Sequence, residues 1–110
     1  MSYTNRIAWE ELRVLDSATL TGGYDPIGGP LLHPAYILKM VNNSNVLVTV
    51  SIDAEIDIDV CPANSFWLYD EGKVGQSSAF PSVPQGTQIY CKGAAGTDNI
   101  YLVVQYIVNN

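Results

Sequence analysis

Val41-Asn42-Asn43-Ser44-Asn45-Val46-Leu47-Val48-Thr49-Val50-Ser51-Ile52-Asp53-Ala54-Glu55-Ile56-Asp57-Ile58-Asp59-Val60 is the stretch whose reading decides the fold. Val46, Val48, Val50 and Ile52 fall on one side of an extended chain, with Leu47, Thr49 and Ser51 on the other. Beyond a turn at Asp53-Ala54-Glu55, Ile56, Ile58 and Val60 alternate strictly with Asp57 and Asp59. Alternation of β-branched residues at a period of two marks half-buried strands. The stretch predicts a β-hairpin with its aliphatic residues inward and its carboxylates on a solvated face.

The flanks supply partners of the same kind. Short strands are predicted at Leu12 to Leu15, Thr19 to Tyr24, Ala35 to Val41, Phe66 to Tyr69, Thr87 to Lys92 and Ile100 to Val108. Turn-rich segments separate them, chiefly Gly22 to Pro30, Asn42 to Asn45, Pro62 to Ser65 and Gly93 to Asn99. Residues 1–11 read as an extended arm or a single helical turn, with Thr4 or Asn5 as the cap. Val74 to Gln85 is a long loop, and loops of about 12 residues in a compact domain tend to make contacts. This spacing predicts one all-β domain over 1–110, an antiparallel β-sandwich or jelly roll.

Composition narrows the function. Charged residues are only 15% of the 110-residue chain, against about 25% in ordinary domains. The net charge is −6, and the five cations are scattered. No basic patch is available to neutralise phosphates or anionic lipid, so neither direct nucleic-acid binding nor membrane binding is expected. No run of 18 apolar residues and no apolar leader core is present, which predicts synthesis in the cytoplasm.

Candidate chemistry is sparse. The glycine-rich segment lacks both phosphate-loop spacings. His33 is the single histidine, and no serine or cysteine stands in a nucleophile motif to serve with it. Asp53, Glu55, Asp57 and Asp59 form one acidic cluster, read as a solvated face, with calcium as the weaker alternative because the Asp-x-Asp-x-Asp-Gly pattern is missing. Cys61 and Cys91 are expected to be reduced and buried, a disulfide being the alternative. Asn42 begins a glycosylation sequon read as a chance match. No catalytic residue, cofactor or metal is predicted.

Several pieces together resemble a known family. They are Trp9-Glu10-Glu11-Leu12-Arg13 with Asp16, Leu20-Thr21-Gly22-Gly23-Tyr24 with Ile27-Gly28, Lys39 to Asn45 leading to Val50-Ser51-Ile52-Asp53, and Gly86-Thr87-Gln88-Ile89-Tyr90 with Lys92-Gly93. The chain is similar to small all-β virion proteins of tailed bacteriophages, the head decoration (cement) or neck and tail accessory type. Its Asp53-Ala54 turn departs from the Asp-Gly usual there. The resemblance implies a virion component that binds capsid or tail proteins and has no catalytic residues.

Interface expectations follow from side-chain type. The last strand, Ile-Tyr-Leu-Val-Val-Gln-Tyr-Ile-Val, is apolar on both faces, so one face is expected to meet another subunit in a homodimer or homotrimer, the alternative being a central strand topped by the N-terminal arm. Aromatic residues are favoured at interfaces. The candidates are Trp9, Trp67, Tyr69, Phe80, Tyr101, Val103 and Ile107. Trp67 and Tyr69 would also be the stacking residues if the domain bound carbohydrate or a receptor instead.

Overall fold

A computed structural model describes residues 5–70 and 83–109. Nine strands are described: β1 (Asn5–Trp9), β2 (Arg13–Asp16), β3 (Tyr24–Pro26), β4 (Ile37–Asn42), β5 (Val48–Ser51), β6 (Asp59–Cys61), β7 (Ser65–Asp70), β8 (Tyr90–Lys92) and β9 (Asn99–Asn109). The larger sheet runs β1-β9-β4-β7, with β2 beside β1 along the same edge of β9. The smaller runs β3-β8-β5-β6. Every pairing is antiparallel. The pairs nest, β2 with β9, β3 with β8, β4 with β7 and β5 with β6. That is a jelly-roll wrapping of a β-sandwich, with β1 prolonging its first strand.

The core is what the inward faces share. Leu38, Met40, Ile100, Leu102 and Val104 project from the larger sheet onto Val48, Val50, Cys61, Ile89 and Cys91 of the smaller, and Ile27 and Leu31 fill one end. Each of these is almost fully buried. Leu102→Ala in such a core removes contacts worth about 2–5 kcal/mol.

The N-terminal segment takes the extended alternative. Its strands are interrupted by a β-bulge: Trp9 lies opposite Gln105 and Arg13 opposite Leu102, so Glu10, Glu11 and Leu12 face only two residues of β9. The extra residue inverts the alternation. Trp9 projects outward before the bulge, whereas Arg13 turns inward after it.

Three expectations need correction. The predicted strand at Thr19 to Tyr24 is instead a 3-10 turn at Ser17–Thr19, a bend, and β3 starting at Tyr24. Asp16 caps that turn by accepting from the Ala18 N–H, and the Asp25 carboxylate accepts from the Thr21 N–H, so local side chains take the donors a strand would use. Second, Ile56, Ile58 and Val60 are exposed, not inward. Val48 pairs with Cys61, which fixes the parity of β6 with the thiol in the core and Val60 outside. Third, Ile52 ends exposed because β5 stops at Ser51, where Asp53 and the positive φ of Ala54 turn the chain.

Candidate functional site

The four acidic residues of the hairpin do not converge on a cation site. The Asp53 carboxylate accepts from the N–H groups of Glu55 and Ile56 and from the Ser51 hydroxyl. These bonds, chiefly those from Ile56 and Glu55, hold its pKa below the ordinary carboxylate value. Asp57 accepts a 2.5 Å bond from the Tyr24 hydroxyl and lies 3.1 Å from the Lys92 ammonium. Both lower its pKa. Asp59 accepts from the Trp67 indole N–H. Internal donors thus relieve the like-charge repulsion. Among the described residues no three metal-ligating side chains gather.

A second polar cluster clamps the bulge. The side chain of Glu10 is 1% exposed and sits 2.8 Å from Arg13 Nη2 and 2.8 Å from His33 Nδ1. It also accepts from the Leu32 N–H. Burial pushes its pKa up, but these hydrogen bonds outweigh burial and leave it lowered. Arg13 donates onward to the carbonyls of Gly29 and Pro30. Gly28 is required here: its φ is +72°, and a Cβ would come within 2.6 Å of Arg13 Cγ. The His33 ring stacks on Tyr106 with centroids 3.7 Å apart. A nearby hollow of about 400 Å³, lined by Leu12, Val14, Gly28 and Leu32 among others, is open and mainly apolar. Carboxylate, guanidinium and imidazole serve one another, and no hydroxyl or thiol nucleophile stands among them.

Cys61 and Cys91 are free and buried. They flank β5, opposite Val48 and Val50 respectively, so two strand spacings separate them. Burial raises both thiols, and Cys91 is pushed up to about 12.

The feature that stands apart is the outer face of the larger sheet. Pairing places Val14, Tyr101, Val41 and Phe66 in one row across the four strand positions. Val103, Lys39 and Leu68 form the next, and Trp9, Gln105 and Ile37 reach the third. Trp9 is 60% exposed and Phe66 61%, with Ile7, Leu12, Val14 and Leu68 also exposed. Lys39 is the one charged side chain near the centre of these rows. A hollow of about 290 Å³ opens between Lys39, Val41, Asn43, Asn64, Ser65 and Phe66. A second apolar ridge, Leu47, Ile52, Ile56, Ile58 and Val60, is exposed along the β5–β6 hairpin of the smaller sheet.

Of the expected contact residues, Trp9, Tyr101 and Val103 lie on this outer face. Ile107 pairs with Ile7 through the backbone, its side chain lying outside the described set. Phe80, with residues 74–82 of the expected contact loop, lies outside the described residues. Trp67 and Tyr69 point the other way, packed against the core, because they pair with Met40 and Leu38. Their neighbours Phe66 and Leu68 are the exposed ones. The signal was present in Ser65-Phe66-Trp67-Leu68-Tyr69: alternation forces one set outward, but both sets are apolar and nothing local says which.

No family model, curated protein or solved structure matches the chain. No helix among the described residues is long and apolar enough to cross a membrane.

Proposed function

We propose that the chain is a non-enzymatic structural subunit of a bacteriophage virion, a decoration (cement) protein that binds and stabilises the head through surface complementarity. One observation carries this reading: both sheets turn apolar side chains outward, Trp9, Leu12, Val14, Phe66 and Leu68 on one and Ile56, Ile58 and Val60 on the other. A monomer seldom exposes large contiguous apolar patches unless a partner covers them. Two such surfaces on opposite sheets suit a subunit that bridges neighbours. The likeness to small virion proteins and the jelly-roll wrapping support the setting, the latter as fold-level analogy only, since jelly rolls also serve lectins and cupins.

The competing readings have less behind them. The rings that the carbohydrate reading named, Trp67 and Tyr69, are turned inward, with the Trp67 indole bonded to Asp59. A cupin-like centre needs several histidines, and His33 stands alone. The test is fractionation of particles from cells infected with the encoding phage. The chain is expected to co-sediment with filled heads in proportion to the major capsid protein. Particles free of it contradict the reading, and a small fixed number per tail moves it to the neck or tail.

A further inference from the structure

We propose that a second copy of this chain covers the outer face of the larger sheet, packed sheet on sheet about a two-fold axis that runs along the strands between β9 and β4. The inference rests on the assembly reading above and assigns one of its two surfaces.

Area is the first argument. With strands about 4.8 Å apart and about 3.3 Å per residue, the 11 residues of β9, six each of β4 and β7, five of β1 and four of β2 give a footprint on the order of 500 Å². Stable interfaces bury about 800 Å² per partner, so the strands of this face supply more than half of what a stable dimer needs.

Charge is the second. The chain carries −6 overall, yet the centre of this face holds a lone cation, Lys39. Asp25, Asp53, Glu55, Asp57 and Asp59 lie on or beside the smaller sheet, while the larger sheet has its acidic residues at its margins, Glu10 and Glu11 in the bulge, Asp16 at the end of β2 and Asp70 at the end of β7. Joining two copies through their larger sheets sets the five smaller-sheet carboxylates of each copy at opposite ends, where their mutual repulsion is least.

Self-complementarity is the third. Rotation about an axis along the strands brings the β1–β2 edge of one copy over the β7 edge of the other, and β9 over β4. Val14 then meets Phe66 of the partner subunit, and Leu12 meets Leu68 of the partner subunit. Lys39 meets Val103 of the partner subunit beside Tyr101 of the partner subunit, whose ring accepts a cation. The hollow of about 290 Å³ beside Phe66 receives the opposing edge. The other in-plane two-fold, across the strands, stacks Lys39 on Lys39 of the partner subunit, which like-charge repulsion disfavours. Sheets packed this way keep their strands within about 30° of one another. The hairpin ridge of the smaller sheet stays outward in the dimer, available to a third component.

A mixing experiment tests this geometry. Val14→Cys and Phe66→Cys are made separately in the full chain, where both positions are exposed. The native thiols are buried and stay silent. Within one chain the two positions are three strand spacings apart, about 14 Å, too far for a short bismaleimide. The mixture of the two variants is expected to yield a covalent dimer, and each alone only monomer. Cross-linking of either single variant to itself overturns the axis, and a mixture that stays monomeric overturns the interface. Phe66→Glu, at an exposed position that leaves the fold intact, is expected to weaken association at least about 30-fold; unchanged association again overturns the proposal. A chain that binds heads but remains monomeric defeats this inference alone, and a dimer that never enters particles defeats only the functional reading.

Discussion

Asn42 is fully buried, and its amide N–H groups donate to the carbonyls of Val46, Cys61 and Pro62 at 2.9–3.1 Å. Its side-chain oxygen accepts from the Ser44 backbone and hydroxyl. One side chain thus ties the end of β4 to the loop before β5 and to the end of β6. Asn42→Leu keeps the branched shape and strands several buried groups, so it is expected to lower unfolding free energy by about 3 kcal/mol or more in urea titrations. A loss below about 1 kcal/mol would contradict the network. The burial also rules the sequon at Asn42 out as a glycan acceptor in the folded chain. Glu10 carries the clearest pH signature. Its pKa is lowered in the fold, so its contribution is complete above the unfolded value near 4.5 and disappears as pH falls through the folded value. Urea midpoints measured downward from pH 6 should therefore fall below about pH 4.5, and Glu10→Gln should flatten that decline while lowering stability at pH 7. The thiols give a third check: Cys61 and Cys91 should resist a thiol reagent at pH 8 until denaturant is added, when both react.

At the scale of elements, the hairpin shows how far alternation can be trusted. Its period was legible from Val46 to Val60, and β5 and β6 do pair. Which side of β6 faces the core was not, because Cys61 and not Val60 meets Val48, and a one-residue choice of register inverts the face. The consequence is measurable. Ile58→Ser should change stability by no more than about 0.5 kcal/mol, while Leu102→Ala in the core should lose about 2–5 kcal/mol. Equal losses would restore the inward reading. The bulge at Glu10 to Leu12 was invisible for a related reason: Trp-Glu-Glu-Leu-Arg suits a helical turn locally, and only the long β9 selects the extended form. In β9 itself, Ile100 to Val108, two apolar faces were plain from the residues, and the order β1-β9-β4 places it inside its sheet.

For the whole molecule, the all-β sandwich could be read from strand spacing alone, because turn residues break the chain at regular intervals. The exposed apolar face of the larger sheet could be read only in part. Trp9, Tyr101 and Val103 were identifiable, whereas Phe66 and Leu68 were hidden by aromatic neighbours of equal hydrophobicity. Five carboxylates, Asp25, Asp53, Glu55, Asp57 and Asp59, gather on or beside the smaller sheet, while the centre of the larger sheet's outer face holds Lys39 among apolar residues. Glu10, Arg13 and His33 hold one another, and Asp53, Asp57 and Asp59 of the hairpin take partners within the chain. Among the described residues, Trp9, Leu12, Val14, Phe66 and Leu68 leave large apolar surface exposed on the larger sheet. The most direct measurement is the equilibrium mass of the unmodified chain by light scattering over a wide concentration range. The expected result is a species of twice the 12.0 kDa chain mass, dissociating on dilution. A mass of 12.0 kDa at every concentration would contradict the assembly face.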